Sequence, residues 1–76
     1  MNDALKNALA EEMEVDPMEL TSEKVLEDIE AWDSVLALTI MVILGDELGA
    51  PVTPGEMANL VTFGDIESLA SSKIQN

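Results

Sequence analysis

The chain has 76 residues, of which 47% are hydrophobic, and a formal net charge of −13 with three lysines as its only basic side chains. A chain of this size forms one domain with a modest core, and without cysteine or histidine that core is neither cross-linked by disulfides nor built on a zinc site. An acidic surface repels nucleic acid and anionic membranes and favours basic protein surfaces as partners. We therefore expect a single domain over residues 1–76 that binds proteins and no nucleic acid.

The hydrophobic pattern argues against a membrane protein. The longest apolar stretch, Val35–Leu44, has ten residues, whereas a transmembrane helix needs about 20. Residues 1–10 lack the apolar segment of a secretory signal. We expect a monomer without a membrane span, and the absence of cysteine favours the cytoplasm.

The first predicted helix runs from Asp3 to about Met13. Its apolar residues recur at helical spacing, and the helix must end before Pro17 because the residue before a proline disfavours helix. Asp16 then has the position of a cap for one short turn that starts at Pro17. The inward residues predicted for this helix are Leu5, Ala8, Leu9 and Met13.

A long connection leads from this helix to Asp33. A loop of nearly 20 residues is unusual in a compact domain and normally has a function or hidden short structure. Because apolar residues recur along it, we expect it to pack across the core. Those residues are Met18, Leu20, Val25, Leu26 and Ile29.

The central helix is predicted over Ser34–Leu48, with Gly49 as its stop. Two capping-box patterns follow, Thr53–Glu56 and Thr62–Asp65, in which a threonine precedes an acid by three residues. They predict a short third helix from Glu56 to Leu60 or Val61.

The last helix is predicted from Asp65 to about Ser72, with Ile66, Leu69 and Ala70 inward, and residues 73–76 are expected to fray. The fold class is therefore all-α, a bundle of three longer helices and one short third helix. A long loop joins the first two helices.

Ser34 is the residue of greatest chemical interest, because it starts the most apolar helix and follows an acidic loop. Serine is a poor nucleophile without a base beside it, and the chain has no histidine or cysteine. A helix N-terminus accommodates a phosphate well. Ser34 therefore suits a residue that another enzyme modifies, although either Ser34 or Asp33 could serve only as a helix cap.

Several motifs together resemble the acyl carrier protein family. They are Trp32–Val35 before an apolar helix, Pro51–Pro54 and Leu60–Ile66, in the order and spacing usual for that family. The resemblance extends from about Ala4 to Ser72. It implies a four-helix bundle that is not an enzyme and binds no metal of its own.

The resemblance also implies a cofactor and partners. Ser34 would carry a 4′-phosphopantetheine, transferred from coenzyme A by a phosphopantetheinyl transferase, and Asp33 would contact that transferase or its metal. The thiol of the arm would hold acyl groups as thioesters for acyl-loading and acyl-processing enzymes of fatty-acid, polyketide or other specialised acyl synthesis.

The chain departs from the family on the surface used for docking. Where the family has acids two and five residues after the serine, this chain has Leu36 and Thr39. We predict an exposed apolar patch of Leu36, Ile43 and Val42, unless the long loop covers these residues. The full predicted partner-binding set is Val35, Leu36, Thr39, Val42, Ile43, Asp46, Glu47 and Glu56. This departure favours a specialised carrier over a housekeeping one.

Two alternatives remain open from the sequence. The first is a carrier of amino acids, although Ala31-Trp32 before Asp33-Ser34 does not fit the glycine-rich pattern usual there. The second is an acidic helical adaptor that is never modified and binds a partner through the Leu36 face. Modification of Ser34 distinguishes the adaptor from both carriers.

Overall fold

Four helices build the computed structural model, which describes residues 2–74. The helices are α1 (Asp3–Met13), α2 (Ser34–Leu48), α3 (Pro54–Ala58) and α4 (Phe63–Ile74). Within residues 2–74 the β structure is limited to one isolated bridge, between Val25 and Thr62. The predicted all-α bundle with three longer helices and a short third helix is confirmed.

The helices begin and end where polar side chains and glycine satisfy the backbone. Asn2 caps α1 by accepting a hydrogen bond from the Leu5 amide at 2.8 Å. α2 ends at Gly49, whose φ of 66° lies in the left-handed region that a residue with a Cβ adopts only at a cost. The predicted short turn is a 3-10 helix over Pro17–Glu19, with Asp16 as its cap.

The ends of the last two helices differ from the prediction. α3 begins at Pro54 and ends at Ala58, and α4 begins at Phe63 and continues to Ile74. Both helices start directly after their capping threonines, whereas the prediction placed their starts at the acids three residues later. The predicted fraying tail is helical at Lys73, and residues 75–76 lie outside the described part of the chain.

The core is formed by one line of side chains from each long helix together with residues of the connections. The amide groups of Thr62 and, after it, Val61 donate hydrogen bonds to the Asp65 carboxylate at 3.0 and 2.9 Å. These bonds lower the pKa of that carboxyl and anchor the start of α4. The largest fully buried side chains are Phe63, Leu9, Met13, Leu20, Leu26, Ile40, Leu44 and Ile66.

The long connection between α1 and α2 packs against the core as predicted, except at Met18, which lies in the short 3-10 turn and is 85% exposed. Leu20, Leu26 and Ile29 are buried, and a second 3-10 turn covers Leu26–Asp28. Hydrogen bonds then tie the connection to the start of α4. They run from the Leu26 amide to the Val61 carbonyl at 2.9 Å and from the Phe63 amide to the Lys24 carbonyl at 2.8 Å.

Gly64 permits this close approach between the connection and α4. A Cβ at that position would lie 2.6 Å from the Ser22 carbonyl oxygen, a distance that carbon and oxygen atoms do not tolerate without backbone movement. The Gly64 amide instead donates a hydrogen bond to that oxygen at 3.0 Å. The connection is therefore held at a defined position against the start of α4.

Candidate functional site

Asp33 and Ser34 have different roles at the start of α2: Asp33 caps the helix and Ser34 presents an exposed hydroxyl. The Asp33 carboxylate accepts a hydrogen bond from the Leu36 amide at 2.7 Å and so caps the helix. Its carbonyl accepts the first helical hydrogen bond, from the Ala37 amide at 2.9 Å. Ser34 is the first helical residue and is exposed. Because the aspartate caps the helix, the serine hydroxyl is not needed for that role.

The helix start has an electrostatic environment suited to a phosphate. The first turn of α2 contains no acidic residue, so no side chain of that turn offsets the partial positive charge of the helix N-terminus. A phosphodiester on Ser34 would lie beside this charge. The residues present therefore fit a phosphate-linked group.

An apolar groove begins at Ser34 and runs between α2 and α3. Its volume is about 240 Å³. Apart from the serine, its lining is made of hydrocarbon and methionine side chains, which shelter an apolar guest and adapt to its shape. The lining residues are Ser34, Ala37, Leu38, Met41, Pro54, Met57 and Ala58.

The predicted apolar patch is wrong at Leu36. This side chain is 9% exposed and packs in the core together with Ile40 and Leu44. These three residues follow one another at intervals of four and form the inward line of α2. Ile43 is half-buried, whereas Val42 is 66% exposed.

The other predicted partner-binding residues do not form one surface. Thr39 is half-buried, and its hydroxyl donates a hydrogen bond to the Val35 carbonyl at 3.1 Å. Asp46 and Glu47 are exposed and border a groove between α1 and α2. Glu56 lies on α3, where its carboxylate pairs with Lys73 at 2.9 Å.

The outward face of α2 is apolar and includes a residue that the sequence analysis missed. Val35, Leu38 and Val42 are 69%, 56% and 66% exposed, and we call them the exposed apolar face. Their spacing of three and four residues places them on one side of the helix. Leu38 could have been found by extending this spacing from Val35.

Neither a metal-type cluster nor a helix able to span a membrane is found within residues 2–74. Residues 2–74 contain no group of three or more side chains arranged to hold a metal ion. Each helix in the same range is too short or too polar to cross a bilayer. The distinctive features of the molecule are therefore Ser34, the groove beside it and the exposed apolar face.

Comparison with known proteins also indicates a site for phosphopantetheine attachment. Residues 3–70 match the PP-binding family, described as a phosphopantetheine attachment site. The chain is 34% identical over 71 residues to acyl carrier protein MbtL of Mycobacterium sp. (strain MCS), covering 93% of this chain and 80% of that protein. It also resembles the solution NMR structure of holo acyl carrier protein from Geobacter metallireducens, with a TM-score of 0.78 and 30% identity. That match covers 95% of this chain and 83% of the other.

The comparisons establish a carrier and its prosthetic group. The matched family is defined by covalent phosphopantetheine attachment, and the structural neighbour is a holo protein. Such a protein presents intermediates to enzymes and is not itself a catalyst. The helices, the acidic composition and the lack of histidine and cysteine agree with this role. The chain belongs to the acyl carrier protein family.

Proposed function

We propose that this carrier holds acyl intermediates on a 4′-phosphopantetheine attached to Ser34 and delivers them to enzymes of a specialised acyl pathway. The observation that carries the proposal is the position of Ser34, exposed at the start of α2 and at one end of the apolar groove. The thiol of the bound group supplies the thioester chemistry. The protein supplies the attachment point, the docking surface and the groove.

Different residues of this chain serve the attachment of the phosphopantetheine and the sheltering of the acyl group. Ser34 presents its hydroxyl, and we assign the base that takes its proton to the transferase, since this chain has no histidine or cysteine and the neighbouring Asp33 caps the helix. Asp33 holds the first turn of α2 in place through the Leu36 amide. Met41 and Met57 face the groove from α2 and α3, and their flexible side chains can adjust to an apolar guest.

Intact mass spectrometry tests the proposal. The purified chain is incubated with coenzyme A, magnesium and a broad-specificity phosphopantetheinyl transferase, and proteolytic peptides locate any modification. We expect one added phosphopantetheine on the peptide that contains Ser34. If neither this sample nor protein isolated from its native cell carries the group, the proposal fails and the unmodified adaptor becomes the better interpretation.

Asp33→Asn separates the capping role of Asp33 from contact with the transferase. Asparagine caps a helix about as well as aspartate, so we expect the stability to stay within about 0.5 kcal/mol of the original. The lost charge should lower the kcat/KM of the transferase at least about tenfold if the carboxylate reaches its metal, since charge-assisted contacts contribute about 1.5–3 kcal/mol. Asp33→Ala should in addition lower the stability by about 0.5–2 kcal/mol. An unchanged rate for Asp33→Asn would assign Asp33 to capping alone.

Leu38→Asp tests the exposed apolar face as the docking surface. A charge placed in the centre of an apolar contact loses its solvent without gaining a partner. We expect kcat/KM with the modifying transferase to fall about tenfold or more, the size of effect found for central interface residues. Met18→Asp is the matched control, because Met18 is 85% exposed and belongs to the 3-10 turn Pro17–Glu19, not to α2. Equal rates for the two variants would show that partners dock elsewhere.

A further inference from the structure

α3 is the least firmly held helix of the bundle. It has five residues, Pro54–Ala58, and none of them is fully buried. A helix this short is not stable by itself, so its position depends on a few contacts. Met57 packs against the core, and Thr53 caps the first turn through the Glu56 amide at 3.2 Å.

Glu56 links this weakly held helix to two other parts of the chain. One carboxylate oxygen accepts a hydrogen bond from the Thr53 amide at 2.9 Å. The other pairs with the ammonium group of Lys73 in the last turn of α4, also at 2.9 Å. The Thr53 amide and, after it, Lys73 lower the pKa of Glu56. One carboxylate therefore joins the cap of α3 to the end of α4.

The position of α3 determines the shape of the groove beside Ser34. Pro54, Met57 and Ala58 form the α3 wall, opposite residues of α2. Because this wall belongs to α3 alone, a shift of that helix, and with it of Met57, which packs against the core, would widen or narrow the groove. The ion pair to α4 opposes such a shift.

We propose that Lys73 is a positioning residue which, through Glu56, holds the α3 wall of the apolar groove. The nature of the groove's guest rests on the proposed function, but the position of α3 does not. A lysine in the last turn of α4 also interacts favourably with the C-terminal end of that helix. The experiment must separate this purely local role from the effect on α3.

Amide hydrogen exchange of the unmodified protein makes that separation. Lys73→Met removes the charge and keeps an apolar stem of similar length, and Glu56→Gln removes the charge while glutamine keeps the capping box. We expect both variants to exchange about two- to fivefold faster than the original within residues 55–60, the range for a partly exposed ion pair. Lys73→Arg keeps the positive charge, so residues 55–60 should exchange as slowly in this variant as in the original protein.

Two further measurements check that the ion pair itself is responsible. The double variant should exchange no faster in α3 than either single variant, because both changes break the same contact. Raising NaCl from about 0.1 to about 1 M shortens the screening length from about 10 to about 3 Å and should shrink the difference between the original and Lys73→Met. Lys6→Met, on α1, controls for net charge.

The methyl signal of Met57 reports on the groove wall directly. It should shift in Lys73→Met and Glu56→Gln and return in Lys73→Arg. If Lys73→Met changes exchange only in residues 70–74, or leaves residues 55–60 unchanged, the proposal is overturned. Because all these measurements use the unmodified chain, a failure to load Ser34 would refute the proposed function and leave this test intact.

Discussion

Ser34→Ala is expected to abolish phosphopantetheine loading completely while the fold stays intact. Alanine has no oxygen to form the phosphodiester, so the intact mass should not change after incubation with coenzyme A and the transferase. The helix should survive, because the cap of α2 is the Asp33 carboxylate, bonded to the Leu36 amide at 2.7 Å. Circular dichroism and the unfolding midpoint should therefore match those of the original protein.

Ser22→Ala is the matched control for this experiment. Ser22 is also exposed, but its hydroxyl donates a hydrogen bond to Glu67 at 2.7 Å and lies at the start of α4, not beside the groove. We expect full loading of this variant. If Ser34→Ala still gained the mass of a phosphopantetheine, another hydroxyl would be the attachment site and the assignment of Ser34 would be wrong.

Phe63→Ala is expected to cause the largest loss of stability. Phe63 is fully buried and is the largest such side chain within residues 2–74. Truncating a buried phenylalanine costs about 3–5 kcal/mol, whereas a domain of 76 residues has a total stability of roughly 4–11 kcal/mol. The variant should therefore unfold at a much lower urea concentration, as followed by helical circular dichroism.

Val61→Ala provides the comparison for Phe63→Ala. Val61 lies two residues earlier in the same segment and is 60% exposed, so its truncation should change the stability by no more than about 0.5 kcal/mol. The single tryptophan, Trp32, packs against the same core and offers a second probe of unfolding. A loss below about 1 kcal/mol for Phe63→Ala would contradict the central position of this side chain in the core.

Capping residues and glycine allowed much of the secondary structure to be predicted from the sequence. Asp16, Thr53 and Thr62 each stand three residues before an acid, and all three start a helical turn in the structure. Gly49 ends α2 as expected. The starts of α3 and α4 were misplaced because the prediction began each helix at the acid of its capping box, although the first helical residue directly follows the threonine.

The orientation of α2 could not be predicted in the same way. Apolar residues occupy nearly every position from Val35 to Leu44, so no polar stripe shows which side faces water. From the sequence we therefore predicted an exposed Leu36, whereas this side chain is buried in the bundle. Contacts with the other helices and the connection select Leu36, Ile40 and Leu44 as the inward line and leave Leu38 outside.

The order of residues along the chain was enough to predict a small helical bundle, and its motifs resemble those of the acyl carrier protein family closely enough to point to Ser34 as the attachment site. Those conclusions depend on neighbouring residues, because caps, helical spacing and short motifs act within a few positions of the chain. Three features could be learned only from the folded chain: which face of α2 is exposed, where the groove beside Ser34 runs, and that Lys73 pairs with Glu56 at 2.9 Å. Each of these depends on residues far apart in the chain, and packing of the whole core brings them together.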